Sequence, residues 1–348
     1  MHFKREKLEK FRSLKGPLID VRSPGEYYKG HLPTSINIPL FDDYERSIIG
    51  TIYKKEGREK AVIKGLGFLE KKIETLVNSL FEAVNSFKVK NPEIKNNEQI
   101  IKVYCARGGM RSQSICWLLE KYNFNAVTLK RGYKNYRNWA LKNFTKNWKI
   151  VVIGGKTGSG KTRLLKLLEK NNFQVLDLEG LASHRGSTFG GLGMNEQPSN
   201  EYFENMISEK LNTFKLNKDI FVEAESANIG KCKIPHDFFQ KMKKSLRIEI
   251  IRSETNRLKE LIETYSIFSQ EDLKESVLRI KKRLGPQRTK IAIDSINKKQ
   301  WKIVCLSVLE YYDKCYEYEK IGKDNIKFLN LTDLEYNDKV IDLIKKTL

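Results

Sequence analysis

The chain has 348 residues, 40% of them hydrophobic, enough for about two domains and too apolar for a wholly disordered polypeptide. Lys and Arg number 65 against 43 Asp and Glu, a formal net charge of +22, so a polyanion such as nucleic acid is the first partner to consider. The five cysteines (Cys105, Cys116, Cys232, Cys305 and Cys315) include no CxxC pair, which argues against a zinc site or a disulfide framework.

A reducing cytoplasm is therefore the expected compartment, and neither zinc nor heme is expected. No run approaches the ~18 apolar residues of a membrane span. The opening MHFKREKLEK is charged and lacks the apolar centre of a secretory signal.

Read in chain order, short apolar runs alternate with helical patterns. GPLIDVR (16–22) and SINIPL (35–40) read as strands, the second closed by Pro39. Residues 41–98 are Lys- and Glu-rich, and Leu69, Ile73, Leu76, Val77 and Leu80 recur at helical spacing, so this stretch reads as a helical insertion. A third strand is expected at IIKVYCA (100–106), a helix at 112–122, and a fourth strand with a turn at NAVTLKRGY (125–133). The helical YRNWALKNF follows. A boundary near Phe144 to Trp148 then gives two domains, 1–145 and 146–348.

The second half alternates as well, through IVVIGG, KTRLLKLLEK, FQVLDLEG, a Gly-rich HRGSTFGGLG, a helix over 200–216, DIFVEAES and SLRIEIIR. A mostly helical tail is expected beyond them. Strand–helix alternation in both halves predicts two α/β domains.

Gly155 to Thr162 reads GKTGSGKT and fits G-x-x-x-x-G-K-[ST] at every fixed position, with an apolar strand entering and a helical run leaving. Glycines at Gly155, Gly158 and Gly160, with Ser159, let backbone N–H groups turn toward a phosphate at a helix N-terminus. Lys161 would reach terminal phosphate oxygens and Thr162 would ligate Mg²⁺. A second metal-holding acid is sought at a neighbouring strand end. Glu223 is preferred, with Glu225 and Asp177 as competitors. The Asp that ordinarily follows four apolar residues is absent, which weighs against plain nucleotide hydrolysis. The basic RIKKRLGPQR (279–288), with Arg283 and Arg288, would be a phosphate-clamping lid, an RNA-backbone contact or a solvated helix end.

VYCARGGMRSQS places Cys105 between a strand and a helix. A helix N-terminus, loop N–H groups, Arg107 and Arg111 would all favour a thiolate and hence a nucleophile. Cys105 to Arg111 is C-x5-R, a spacing at which Gly108, Gly109 and the two arginines would ring a tetrahedral oxyanion. That leaves a phosphotyrosine-type phosphatase and a sulfur-transfer loop both open. Cys116, one helix further on, is expected in the core. Tyr133, Tyr136 and Trp139, interleaved with Lys130, Arg131, Lys134 and Arg137, read equally as a base-stacking face or as the domain's closing helix.

PLIDVRSPGEYYKGHLPTSINIPL resembles the N-terminal signature of the rhodanese family at Asp20, Arg22, Glu26 and Gly30-His31-Leu32-Pro33. His31 is expected as a turn residue rather than a base. A rhodanese domain followed by a P-loop domain resembles the tRNA 2-selenouridine synthase family, and further segments carry the likeness. These are Glu45, Arg46, Gly50, Thr51, Tyr53 and Gly57 in the insertion; Leu178, Glu179, Leu181, Ala182, His184, Arg185, Gly186, Ser187, Phe189 and Gly190; and Glu223, Glu225, Ser226 and Gly230. Ala224 stands where that pattern carries an acid.

The resemblance implies replacement of sulfur by selenium in 2-thiouridine at the tRNA wobble position, with selenophosphate as donor. A prior S-geranylation from geranyl diphosphate is implied too. The P-loop would then hold the diphosphate with Mg²⁺. Cys105 would carry or position selenium, and His184, Arg185 and Ser187 would touch the prenyl donor or tRNA. The implied partners are the anticodon region of a tRNA and a supply of selenophosphate, with no membrane; the oligomeric state is left open. Two other readings are a rhodanese-type sulfurtransferase fused to a small-molecule kinase-like module, and an RNA-binding module whose P-loop is only a switch.

Overall fold

A computed structural model describes residues 4–95, 98–187, 189–320, 325–332 and 334–348, without the side chains of residues 315 and 317–320. The first three residues, positions 96–97 of the expected insertion and the Cys315 side chain lie outside what is described. The chain forms two compact units: Met1–Lys142 with Ser199–Met206, and Asn143–Pro198 with Ile207–Leu348.

The first unit contains β1 (Arg5–Glu6), α1 (Leu8–Ser13), β2 (Leu18–Asp20), α2 (Pro24–Lys29), β3 (Ile36–Asn37), α3 (Asp43–Lys55), α4 (Arg58–Glu70) and α5 (Ile73–Lys90). Next come β4 (Ile101–Tyr104), α6 (Met110–Lys121), β5 (Ala126–Leu129) and α7 (Gly132–Asn143). Its five-stranded sheet has the order β1-β5-β4-β2-β3, every pairing parallel. Apolar residues run almost unbroken along β4 and β5, as strands covered on both faces require.

The expected insertion is three helices, α3 to α5. Asp42 and Glu45 form a capping box that starts α3. Leu76, Leu80, Ala83 and Val84 of α5 are buried in the core with Ile19, Val103 and Ile115, so the helical spacing marks a real apolar stripe. Two-residue β1 was not expected, because Arg5-Glu6 carries no strand propensity and pairs only through its backbone with Thr128 and Leu129.

In the second unit β6 (Lys149–Gly155), α8 (Lys161–Lys170), β7 (Gln174–Leu176) and α9 (Leu178–Ala182) precede α10 (Asn200–Asn212). Residues 199–206, at the start of α10, group with the first unit. There follow β8 (Asp219–Glu223), β9 (Asn228–Ile229), β10 (Cys232–Lys233), α11 (His236–Lys244), β11 (Leu246–Ile251), α12 (Glu254–Tyr265) and α13 (Gln270–Arg279). The chain ends with α14 (Lys281–Leu284), α15 (Pro286–Asn297), α16 (Trp301–Lys320), β12 (Ile326–Asn330) and α17 (Asp338–Thr347).

The sheet order is β12-β11-β6-β8-β7, again parallel throughout, with the P-loop strand at its centre. The tail is mostly helical as expected, and it also contributes one strand, β12. Its five residues pair with β11 from Arg247↔Ile326 to Ile251↔Asn330. Three of the five side chains are exposed, so β12 shows no clear apolar alternation.

In the first unit a buried ion pair sits where β2 ends. The Arg22 guanidinium donates to both carboxylate oxygens of Asp20 (Nε 3.0 Å, Nη2 2.6 Å) and to the Gly30 carbonyl at 2.7 Å. It also lies 3.9 Å from the Tyr133 ring centroid. Burial opposes the charge, but the hydrogen bonds and charge of Asp20 outweigh it and raise the Arg22 pKa. Removing one partner strands a buried charge, so Arg22→Ala should cost about 3–5 kcal/mol of unfolding free energy. Urea denaturation checks this; a loss under about 1 kcal/mol would show the pair to be dispensable.

Candidate functional site

Cys105 follows β4 and precedes α6, whose N-cap is Gly109. The side chain is 3% exposed, with Sγ 3.3 Å from the Ser112 hydroxyl. Two backbone bonds fix the loop to the start of α7: Tyr133 N–H donates to the Cys105 carbonyl at 2.9 Å and Lys134 N–H to that of Ala106 at 3.0 Å. Gly132, at φ 55°, directly precedes these donors, and a Cβ there would fall 2.1 Å from the Cys105 carbonyl oxygen. Gly108 is left-handed too, at φ 63°.

The expected anion cradle is distributed rather than closed around the sulfur. Arg111 donates to Glu26 at 2.6 and 3.3 Å, and Arg46 lies 3.7 Å from the same carboxylate. Although burial opposes ionisation, Arg111 holds the Glu26 pKa below the ordinary carboxylate value. Arg107 is exposed and lines a pocket of about 340 Å³ with Arg131, Lys134, Asn135 and Asn138, to which Cys105 does not contribute. Met110 and Trp117 border an apolar groove of about 620 Å³ closed by Leu66, Leu69 and Ile73 of the insertion.

Five further residues find clear places. Cys116 is 1% exposed in the core, where burial pushes its thiol pKa up. His31 stacks between Tyr27 and Tyr202 and contacts the Tyr27 carbonyl through Nδ1 at 3.0 Å, a turn residue's situation. The stacking alternative for the aromatics falls away, since Tyr133 and Tyr136 are 7% and 0% exposed. Arg137 is bound by Asn205 and Glu204.

The P-loop turns from β6 into α8 with Gly158 and Gly160 both at φ 78°. Tyr336 seals one side, donating to the Ser159 carbonyl and packing where a Cβ on Gly160 would sit. Tyr316 accepts from Gly155 N–H, and Arg257 joins the Thr157 carbonyl (2.8 Å) to Asp313. Lys161 Nζ donates to the Gly155 carbonyl at 3.1 Å.

Thr162 donates to Glu179 at 3.5 Å, an acid that sequence reasoning did not assign to the metal. Glu223, the preferred acid, is fully buried, and neither carboxylate oxygen has a hydrogen-bond partner among the described residues. Burial, then the nearby Glu179, Asp177 and Glu225, push its pKa well above the usual range. Burial raises Glu179 too, against the pull of Lys161. Among the described residues no three acids, histidines or cysteines are grouped as a metal cage. Thr162, Glu179 and Glu223 nevertheless form an oxygen-only set of the sort Mg²⁺ uses, with one or two carboxylates and the remaining positions left to phosphate and water.

The HRGS segment borders this cluster. Gly186 lies against the Glu225 carboxylate, and Arg185 donates to the Leu192 carbonyl at 2.8 Å. His184 is half-buried with its pKa lowered by burial, and Ser187 is half-buried as well. Phe189 anchors the segment in the core of α13 to α16. Arg283 is exposed on α14, and Arg288 pairs with Glu310 of α16 at 2.6 Å. Asp177 is committed to capping α9 through Gly180 N–H.

Fold and site define a chain that joins a rhodanese-like cysteine-loop unit to a P-loop unit. Residues 4–139 match the rhodanese-like domain family, and 148–333 match the family described as the tRNA 2-selenouridine synthase AAA domain. Proteins named tRNA 2-selenouridine synthase are similar over much of the chain. That of Sulfurovum sp. (strain NBC37-1) is 34% identical over 87% of this chain and 88% of its own. The Hydrogenovibrio crunogenus protein is 31% identical over 87% and 89%, and the Nitrosomonas europaea protein 36% over 72% and 63%. The chain belongs to the tRNA 2-selenouridine synthase family.

Glu223→Gln should stabilise the protein at neutral pH while impairing phosphate chemistry. Its folded pKa lies above the unfolded one, so stability is fullest below the unfolded value near 4.3 and falls as pH rises toward the folded value. The variant should lack that decline and melt higher at pH 7, by about 2–4 °C per kcal/mol released. Melting curves of metal-free protein from pH 4 upward test it; parallel profiles would refute it. Gly132→Ala should misplace the Cys105 loop, since φ 55° and the 2.1 Å approach both resist a Cβ. An unchanged Cys105 alkylation rate would contradict that.

Proposed function

We propose that this chain replaces sulfur by selenium in wobble 2-thiouridine of tRNA, through an S-geranylated intermediate. The observation that supports the reading is the presence, on one chain of this family, of a buried cysteine in a strand-to-helix loop and of a P-loop that carries Lys161 and Thr162. The net charge of +22 suits a tRNA backbone.

In the first step the thiouridine sulfur attacks C1 of geranyl diphosphate. A C–S bond forms, the C–O bond breaks, and diphosphate leaves. Backbone N–H groups of the P-loop and Lys161 would take up the charge that develops on the leaving oxygens. Thr162 with Glu179 or Glu223 would hold Mg²⁺, which would supply Lewis-acid stabilisation of the leaving group. His184, Arg185 and Ser187 border the acids and would contact the donor. Arg283 and Arg288 lie on the helical part, and Arg288 would have to leave Glu310 to act as a clamp.

In the second step selenium bonds to C2, the C–S bond breaks, and geranyl thiol departs. Selenophosphate delivers selenium at the selenide level, so with water as co-reactant the phosphorus leaves as phosphate and no oxidant is required. Cys105 would position the donor with Arg107, Gly108, Gly109 and Arg111, the last of these exchanging Glu26 for the oxyanion. Carriage of selenium as a perselenide would instead release phosphite, and a thiol reductant would then have to cut the S–Se bond once selenium is joined to C2. The reading that keeps the P-loop as a small-molecule kinase predicts nucleotide triphosphate turnover in place of diphosphate release.

Nucleoside analysis of tRNA from cells carrying variants is the direct test. Cys105→Ala should abolish 2-selenouridine, by at least about a hundredfold as for lost nucleophiles and charge-stabilising donors, while geranylated 2-thiouridine accumulates. Lys161→Ala should remove the geranylated nucleoside as well. Wild-type levels of 2-selenouridine with Cys105→Ala would end the proposal, and phosphite release would move Cys105 from positioning to carriage.

A further inference from the structure

Arg107, beside the cysteine loop, shares a pocket with two cations, Arg131 and Lys134, that have no part in the donor site above. Arg107, Arg131 and Lys134 are exposed, line one pocket of about 340 Å³ with Asn135 and Asn138, and face no acid in its lining. None of the three cations enters an ion pair or a side-chain hydrogen bond among the described residues. Several other cations of this unit are partnered: Arg111 by Glu26, Arg137 by Glu204, Lys72 by Glu45 and Lys60 by Glu56. Three like charges held together without a counter-ion repel one another, and an anion in their midst relieves that repulsion.

Their placement relative to Cys105 is set by backbone. Arg107 is two residues from Cys105, and Lys134 N–H is bonded to the Ala106 carbonyl. Arg131 takes a left-handed conformation, φ 64°, that turns the chain from β5 into Gly132 against the cysteine loop. Asn135 is steadied by its own bond to the Lys130 carbonyl at 3.2 Å. Carboxamides beside cations are the side chains that bind phosphodiester oxygens and ribose. The volume lies within the range of sites for small ligands.

We propose that this pocket is an RNA-phosphate subsite, which grips the sugar-phosphate backbone next to the base presented to Cys105. This rests on the reading that a tRNA base is brought to that loop. It gives the strand a fixed register against the sulfur, while the base itself is read elsewhere, as phosphate contacts generally do.

The test is tRNA binding by the full chain, measured between 50 and 300 mM salt without selenophosphate. Arg131→Asn, which keeps a residue tolerant of the left-handed backbone, combined with Lys134→Gln should weaken binding about tenfold. It should also flatten the slope of log K against log salt by about 1.5, roughly one released counter-ion per lost contact. Lys134→Arg should bind as wild type, and matched melting curves confirm that the variants fold. An unchanged affinity and slope would overturn the proposal. So would a raised KM for selenophosphate with tRNA binding intact, which would make the pocket a small-anion site. If the double variant loses tRNA affinity yet wild type makes no 2-selenouridine, the subsite stands and only the activity reading falls. Failure of the wild-type chain to bind tRNA would remove both.

Discussion

Arg22 is the residue on which the cysteine loop depends. Its guanidinium cannot be solvated where it lies, so Asp20 must neutralise it and the Gly30 carbonyl must take a third bond. Its face is covered by Tyr133, whose N–H holds the Cys105 carbonyl. Tyr104, one residue before the cysteine, accepts from Leu32 N–H and shares a hydrogen bond with Ser35. The turn Gly30 to Pro33, the strand end and the helix carrying Tyr133 are thus tied to one buried charge. That network fixes the backbone that carries the sulfur, and the Ser112 hydroxyl adds a contact to Sγ itself.

The P-loop unit solves a different electrostatic problem. Glu179, Glu223 and Glu225 approach one another around Lys161 and Thr162, and Glu223 has no hydrogen-bond partner among the described residues. Such an arrangement lowers stability at neutral pH, because a buried carboxyl without a partner resists ionisation. Fold stability alone does not explain keeping it. The proposed site for a hydrated cation and a diphosphate would explain it.

Much of this was legible because each motif has a physical cause that acts locally. Alternating apolar runs gave the central strands, the glycine pattern the P-loop, and the Leu and Ile spacing the insertion helices. What was not legible depends on tertiary partners. Arg5-Glu6 becomes a strand only because β5 is there to pair with it, and β12 only because β11 is. Arg107 and Arg111 look equivalent beside Cys105, yet Glu26, 85 residues from Arg111 in sequence, claims one of them. Glu179 stands at no motif-fixed distance from Thr162, and only the turn from β7 into α9 brings them together. Tyr133 and Tyr136 read as well for a nucleobase as for a core until their burial is known.

The start of α10 has a consequence for how the protein can be dissected. Residues 199–206 belong with the first unit, where Glu201 and Asn205 bond the Tyr133 hydroxyl and Tyr202 stacks on His31. A gene fragment ending at residue 145 would leave that tyrosine without its two side-chain partners and expose one face of His31. The unit is therefore discontinuous in the gene, and a faithful excised version would need residues 199–206 supplied by a designed graft.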